Sequence, residues 1–270
     1  PKNDIGRKIY KSTPYPNDQM IMFHNESSHQ HRWPRQQWFY CSEPALVGGA
    51  TPIVDCHEMY QRLPSQIRQK LEEKQLCYIR NFTGLDVSWQ HFFKTEQRQD
   101  VEKICSDNKI QFEWFGSGSL RISQVCPAVI THPITGEKSF FNQIQLHHFS
   151  FLEDDVRQHF FDVAGKDNLP RNVCYGDGSQ LEPEVIALIS KLYETCAVRF
   201  DWQKSDVVML DNMLAAHARD PYEGNRKIAV AMGDIYQMSD NNTTPEQVAS
   251  SSPLNGELTS SNATENKEPV

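Results

Sequence analysis

The sequence has no run of basic residues, no long apolar stretch and no pair of cysteines at CxxC spacing. Nucleic-acid binding depends on clustered Lys and Arg, and the formal net charge is −8, which excludes a nucleic-acid partner. No stretch approaches the roughly 18 apolar residues of a membrane span, and no signal peptide opens the chain. We therefore expect a protein that binds neither nucleic acid nor a membrane.

The seven cysteines are odd in number and widely spaced, unlike a disulfide framework or a zinc ribbon. Such a pattern is typical of reduced thiols, and it predicts a cytoplasmic protein. The cysteines are Cys41, Cys56, Cys77, Cys105, Cys126, Cys174 and Cys196.

The composition changes from Ser239 onward, where aromatic residues are lacking and Ser, Thr and Asn dominate. Such a segment cannot bury enough apolar surface to offset its chain entropy. The sequence therefore predicts one domain, long enough to form its own hydrophobic core, over residues 1–238 and a disordered polar tail over 239–270.

Within residues 1–238, short runs rich in Val, Ile and aromatic residues predict strands, and apolar residues at three- to four-residue spacing predict helices. These segments do not alternate regularly, which favours a mostly β, antiparallel structure with helical insertions. The predicted strands are Gln37–Tyr40, Thr51–Asp55, Leu76–Asn81, Ala128–His132, Lys138–Asn142, Asp206–Asp211 and Lys227–Ile235. The predicted helices are Glu58–Glu73, Phe151–Val163 and Glu182–Ala197.

The stretch "FHNESSHQH" contains three imidazoles and a carboxylate within nine residues, 23–31. His24 and Glu26 are two residues apart, and on a strand such side chains share a face, so this pair could bind one cation. A His beside an acid is more often a surface feature, and a third ligand must come from elsewhere. The other histidines are His29, His31, His57, His91, His132, His147, His148, His159 and His217.

His217 follows a predicted buried strand and a polar Asp-Asn turn, a suitable place for a ligand at the mouth of a barrel. Two His and one carboxylate on one face of a metal leave three positions open, the arrangement of non-haem Fe(II) oxygenases. Arg226 begins an apolar strand and offers a guanidinium fork for a carboxylate, and Thr51 in "GGATPIVD" offers a hydroxyl. Together they could hold the far carboxylate of 2-oxoglutarate.

The motifs "HNE", "GGATPIVD" and "DNMLAAHARDPYEGNR" resemble the taurine dioxygenase/TfdA family of Fe(II)/2-oxoglutarate oxygenases. "NVCYGDGSQLEPEV" is similar to the branch of the syringomycin-type aspartyl hydroxylase, which acts in nonribosomal peptide pathways of secondary metabolism. The resemblance implies a double-stranded β-helix, the jelly roll of clavaminate synthase-like enzymes. Members carry more chain before the first metal His, which implies that this sequence is N-terminally incomplete.

Carried over by the resemblance, His24, Glu26 and His217 match the metal ligands, and Thr51 and Arg226 match the 2-oxoglutarate clamp. Fe(II), 2-oxoglutarate and O2 are the implied cofactors. The family's sulfonate-binding Arg is replaced here by Val230. The implied substrate is instead an amino acid or an amino-acid-derived small molecule, free or bound to a carrier protein, with Asn142 as the candidate pocket residue.

Two other functions use the same residues. A zinc hydrolase could bind its metal with these ligands, although hydrolysis needs no dicarboxylate clamp. A catalytically inactive binding module on the same fold is the second, although the ligand set is intact. We expect His29 and His31 to meet solvent rather than metal. His147 and His148, taken as neighbours on a strand, would point to opposite faces and not share a metal.

Overall fold

The computed structural model describes the backbone of residues 4–6, 9–11 and 15–238, and side chains from residue 15 to residue 238. The predicted tail at 239–270 lies outside the described residues. No helix in the described part of the chain is long and apolar enough to cross a membrane.

Strands and helices follow one another without strict alternation. The strands are β1 Asp4–Gly6, β2 Ile9–Lys11, β3 Ile21–His24, β4 Arg32–Glu43, β5 Val47–Gly48, β6 Ile53–Asp55, β7 Leu76–Phe82, β8 Gln111–Phe115, β9 Ser119–Cys126, β10 Val129–Thr131, β11 Lys138–Phe140, β12 Arg171–Tyr175, β13 Val207–Asp211, β14 Ala215–Arg219, β15 Tyr222–Glu223 and β16 Lys227–Gln237. The helices are α1 Cys56–Arg62, α2 Ser65–Lys74, α3 Trp89–Phe93, α4 Arg98–Asp107, α5 Ile144–His147, α6 Asp154–Ala164 and α7 Pro183–Cys196, with 3-10 turns at Phe149–Phe151 and Lys166–Asn168.

All strand pairings between the named strands of the described ranges are antiparallel, as the sequence predicts. A five-stranded sheet has the order β1-β2-β16-β4-β13, and a three-stranded sheet has the order β3-β14-β6. A third sheet, β12-β7-β9-β8, has four strands, and β10-β11 and β15-β5 are two-stranded. The mostly β fold with helical insertions is therefore confirmed at this level.

The three-stranded sheet has apolar packing on both faces because side chains alternate along a strand. On β14, Ala216 packs with the helices α1 and α7, while Ala215 faces an apolar cluster that contains Phe39 and Val230 of the five-stranded sheet. His217 follows Ala216, so it points to the same side as Ala215. The alternation thus directs this histidine into the space between the two sheets.

The predicted helix Glu58–Glu73 is wrong in one respect, because the structure breaks it at Pro64 into α1 and α2. A proline disfavours helical backbone at the preceding residue, and Leu63 is extended with φ −67° and ψ 135°. The apolar spacing runs through both pieces because both pack on the same core. The apolar spacing alone therefore does not reveal the break at Pro64.

The segment carrying His147 and His148 is also corrected. It is the short helix α5 followed by a turn, not a strand. Asn142, Gln143 and Gln145 are all buried and bonded to neighbouring backbone or side chains. These side-chain bonds fix a helical turn where the run of apolar and aromatic residues suggested an extended one.

Candidate metal centre and cosubstrate site

His24, Glu26 and His217 come together, with one ligand atom from each lying within 4.8 Å of the others. The strand pairing accounts for part of this proximity, because His217 on β14 lies directly opposite His24 on β3. The two imidazole ring centroids are 4.3 Å apart. His217 is buried, and His24 and Glu26 are partly buried. One cation could be held by all three side chains.

His24 is oriented by its own strand. Its Nδ1 lies 2.8 Å from the carbonyl oxygen of Met22, which accepts a hydrogen bond when Nδ1 carries the proton. That tautomer leaves the Nε2 lone pair for a metal, the usual arrangement of metal-binding histidines. His217 is positioned instead by packing, since the ring of Phe39 meets it edge-on at 5.1 Å.

Glu26 lies on a loop held by the buried residue Asn25, which separates the two candidate ligands His24 and Glu26. The Asn25 side chain donates to the carbonyl of Asn212 at 2.8 Å and accepts from the backbone N–H of Asn142 at 3.2 Å. Its backbone N–H donates to the Asn142 carbonyl at 3.1 Å. Ser27 then adopts φ +61°, which turns the chain sharply after the carboxylate ligand.

Asn212 fixes the same loop from the opposite side. Its Oδ1 accepts from the Glu26 backbone N–H at 2.7 Å, and its Nδ2 donates to the Glu26 carbonyl at 3.0 Å and the Pro34 carbonyl at 2.8 Å. Gln37 approaches the Glu26 carboxylate at 3.5 Å. Sequence reasoning singled out none of Asn25, Asn212 and Gln37, although the Asp-Asn turn before His217 contained the signal.

The predicted clamp residues also meet. Arg226 Nη2 donates to Thr51 Oγ1 at 3.2 Å, and Arg226 Nε donates to the Gly49 carbonyl at 2.8 Å. Trp202 donates its indole N–H to the same Thr51 hydroxyl at 3.0 Å, so this tryptophan serves the site as well as the core. Gly49 has φ +72°, and a Cβ there would lie 3.0 Å from Arg226 Cδ. Only glycine lets the arginine stem pass so close.

Arg226 makes no ion pair with a carboxylate in the described part of the chain. Burial lowers its pKa to about 10, and the nearby positive charge of Arg219 acts in the same direction. The guanidinium therefore stays cationic at neutral pH in a largely desolvated position. A partly buried cation of this kind is suited to an anionic ligand, and the far carboxylate of 2-oxoglutarate fits that requirement.

Asn142 is fully buried, but its side chain faces the protein interior. Nδ2 donates to the Tyr193 hydroxyl at 3.1 Å, and Oδ1 accepts from the Ile144 backbone N–H at 3.0 Å. With both ends of the amide bonded, Asn142 holds the Asn25 loop rather than offering a free contact to a substrate. The structure thus gives the predicted pocket residue a positioning role.

The expectation that His29 meets solvent is wrong. Its ring lies 5.2 Å from the ring of His147 and 6.1 Å from that of Tyr78. Burial lowers the pKa of His29 to about 4, so this histidine is neutral at physiological pH. His31 is set differently, with Nε2 at 2.8 Å from the Val125 carbonyl. The metal-ligand group that the described residues form contains neither of them.

The donor set and the clamp agree with what comparison with known proteins shows. The model of the "Taurine catabolism dioxygenase TauD, TfdA family" matches residues 2–232. The chain belongs to this family. Among its relatives, it is 37% identical over 243 residues to the dapdiamide synthesis protein DdaC of Enterobacter agglomerans, covering 89% of this chain and 74% of that protein.

A second relative, a clavaminate synthase-like protein of Arabidopsis thaliana, is 26% identical over 244 residues, covering 86% of this chain and 70% of the relative. Among solved structures, a putative alpha-ketoglutarate-dependent taurine dioxygenase from Burkholderia xenovorans aligns with a TM-score of 0.46 and 16% identity, covering 90% and 74% of the two chains. As a TauD/TfdA family member, this chain uses Fe(II), 2-oxoglutarate and O2.

Proposed function

We propose that the chain is a hydroxylase that inserts one oxygen atom of O2 into an unactivated C–H bond of a small molecule. The other oxygen atom enters succinate as 2-oxoglutarate loses CO2. His24, Glu26 and His217 are the iron ligands in this proposal, and Thr51 and Arg226 bind the far carboxylate of 2-oxoglutarate. The observation that carries it is the His-Glu-His group together with a partly buried arginine, Arg226, that has no carboxylate partner among the described residues.

In this proposal, some residues orient the cosubstrate and the metal ligand, and others exclude water. Arg226 and the Thr51 hydroxyl orient the cosubstrate, and the contact of His24 Nδ1 with the Met22 carbonyl favours the tautomer in which Nε2 carries no proton. Phe39 and Val230 line the space between the sheets with apolar surface, which keeps water away from the reacting groups. When iron is bound here, the chemistry it supplies is the activation of dioxygen.

The same proposal extends to the fold and the domain boundary. We place all of these residues in one catalytic domain, 1–238, built as a double-stranded β-helix. The five-stranded and three-stranded sheets would form its two facing walls. The shared apolar cluster supports this, because Ile53 and Ala215 of one sheet pack with Phe39 and Ile228 of the other.

The substrate that we propose is an amino acid or an amino-acid-derived molecule, free or presented on a carrier protein. Two features support it. Val230 is apolar where a sulfonate-binding arginine would be needed, and the relative DdaC acts in dapdiamide synthesis.

The test is 2-oxoglutarate-dependent succinate release by the Fe(II)-loaded protein with a panel of free and carrier-bound amino acids, in air and under argon. We expect release only with both Fe(II) and O2, and its loss in His24→Ala, Glu26→Gln and His217→Ala, since each removes one of three ligands. His31→Ala is the matched control and should retain activity. Release of no succinate by wild type would favour a binding module, and metal-dependent hydrolysis without O2 would favour the zinc enzyme.

A further inference from the structure

The loop after Glu26 brings His29 against two rings that the iron and 2-oxoglutarate sites do not use. His147 on α5 and Tyr78 on β7 lie 5.1 Å apart between ring centroids, and both contact His29. The Nδ1 atom of His29 is buried and makes no ordinary hydrogen bond within the described residues. The His29 side chain interacts with Gln143 and lies in this cluster within range of the Glu26 carboxylate.

Two arginines, Arg80 and Arg171, lie on the same face of the sheet as Tyr78. Arg80 is two residues after Tyr78 on β7, so both side chains leave the sheet on the same face. Arg171 on β12 is the cross-strand partner of Arg80, and directly opposed residues of antiparallel strands also share a face. One step of two residues along a strand is roughly 7 Å, so the arginine pair lies about one side-chain length from the cluster.

The positive charge of this pair exceeds the acid that faces it. Arg80 Nη2 and Arg171 Nη2 lie 3.3 Å and 3.6 Å from one oxygen of Asp86. The Arg171 side chain makes no other ion pair or hydrogen bond to protein in the described part of the chain, so most of its donors remain for a ligand or water. The rings of Phe82 and Phe92, with centroids 5.1 Å and 4.5 Å from Arg80 Cζ, hold that guanidinium in place.

The pKa values of His29 and His147 agree with the placement of the two arginines near them. After burial, which is the main cause, the charges of Arg171 and Arg80 also lower the pKa of His147. They lower that of His29 as well, while Glu26 acts in the opposite direction. His29 thus lies within range of the carboxylate ligand on one side and of the arginine pair on the other.

We infer that Arg80 and Arg171 bind a carboxylate of the substrate and thereby hold the rest of the molecule over His29 and His147, beside Glu26. The inference rests on the proposed function and names the substrate class: an acidic amino acid or a derivative that keeps a free carboxylate. The guanidinium fork matches a carboxylate in two parallel hydrogen bonds, which an amide cannot accept equally well. The two neutral imidazoles can meet the polar atoms of the amino-acid unit.

Calorimetric titration tests this with protein loaded with Mn(II) and saturated with 2-oxoglutarate, which keeps Arg226 occupied. The ligands are L-aspartate against L-asparagine and L-glutamate against L-glutamine, since each pair exchanges one carboxylate for an amide of similar shape. We expect at least one acid to bind about tenfold or more tightly than its amide. Arg80→Gln and Arg171→Gln should each remove that preference.

Arg121→Gln is the matched control. Arg121 lies on β9 opposite Asn81, hence on the other face of the same sheet, and it bonds Asn81 Oδ1 at 2.8 Å. It should keep the acid preference, and thermal melting shows whether each variant is folded. Equal affinity for acid and amide, no binding of either acid, or an unchanged preference in Arg80→Gln and Arg171→Gln would overturn the inference.

Inorganic phosphate is titrated in the same way. If it binds at the two arginines and the acids do not, the site belongs to a phosphate group and the carboxylate assignment is wrong. Calorimetric binding of 2-oxoglutarate to the Mn(II) protein separates the two proposals. Its absence from wild type refutes the proposed function, whereas its presence without acid binding refutes only this inference.

Discussion

At the residue scale, the loop that carries Glu26, the proposed carboxylate ligand, is fixed by the buried amides of Asn25 and Asn212. Asn212 satisfies both the N–H and the carbonyl of Glu26, and it is fully buried. Removing such a side chain leaves buried backbone groups unpaired, at about 1–3 kcal/mol each. The loop would then sample positions in which the carboxylate no longer faces the histidines.

We therefore expect Asn212→Ala to lose at least about 2 kcal/mol of stability and to weaken metal binding about 10- to 100-fold, as substitutions behind metal ligands do. Urea unfolding and Mn(II) titration measure the two effects. Asn172→Ala is the control, because Oδ1 of Asn172 makes no hydrogen bond within the described residues. Unchanged Mn(II) affinity in Asn212→Ala would show that Asn212 is not needed to position the Glu26 loop.

The clamp gives a second expectation at this scale. Arg226→Lys keeps the charge but loses the contacts to Gly49 and Thr51, and a charge-assisted hydrogen bond contributes about 1.5–3 kcal/mol. The apparent KM for 2-oxoglutarate should rise about 10- to 100-fold. Thr51→Val should raise it less. Arg199→Lys, which alters a surface ion pair with Asp220, should leave this KM unchanged; an unaltered KM in Arg226→Lys would place the cosubstrate elsewhere.

At the element scale, the sequence predicts strands well where one face is buried and the other is not. β13 and β16 follow the predicted Asp206–Asp211 and Lys227–Ile235 within two residues at each end. The β10-β11 hairpin also matches the predicted strands Ala128–His132 and Lys138–Asn142. Residues His24 and His217 could be proposed as ligands from local spacing and resemblance, before any contact between them was known.

Other features could not be predicted from the sequence, for physical reasons. The short helix α5 begins at the Asn142 side chain, which Tyr193 holds, and at the Gln143 N–H, which donates to Tyr78; both tyrosines are distant in the chain. The burial of His29 depends on α5 and β7, and nothing in "HNESSHQH" itself indicates it. Contacts between distant segments decide these features, whereas periodicity reports only on the local chain.

The turn after α5 has a pH dependence that can be measured. His148 is buried, its Nδ1 accepts from the Ser150 N–H at 3.2 Å, and burial lowers its pKa to about 4 from the ordinary 6.5. Between these two pH values the unfolded chain binds the proton and the folded chain does not. The stability that neutral His148 contributes is therefore complete above about pH 6.5 and is lost as the pH falls towards 4.

In His148→Asn, the side-chain oxygen can still accept from Ser150, but the titration is gone. The free energy of unfolding between pH 6.5 and 4.5 should therefore fall less steeply, by up to about 1.4 kcal/mol per pH unit. Urea unfolding at several pH values measures the slope. The exposed His159→Asn is the control, and equal slopes in wild type and His148→Asn would contradict the assignment.

At the scale of the whole molecule, the three proposed ligands come from segments at opposite ends of the described chain. His24 and Glu26 follow β3, and His217 is on β14, so a bound metal links two neighbouring strands of the sheet between the helices and the apolar interior. The clamp adds β16 of the five-stranded sheet through Arg226, one residue before that strand begins. Metal and cosubstrate together thus connect both sheets.

A ligand that binds only the folded chain stabilises it by about 2.7 kcal/mol at a hundred times its Kd. For a domain of this size, 1 kcal/mol raises Tm by roughly 2–4 °C, so saturating Mn(II) with 2-oxoglutarate should raise Tm by about 5–10 °C. His217→Ala should lose most of the Mn(II) part of the shift, and Arg226→Lys should lose the further shift that 2-oxoglutarate adds. His31→Ala should behave as wild type. An Mn(II)-induced Tm shift in His217→Ala equal to that of wild type would mean that the metal binds and stabilises the protein at another site.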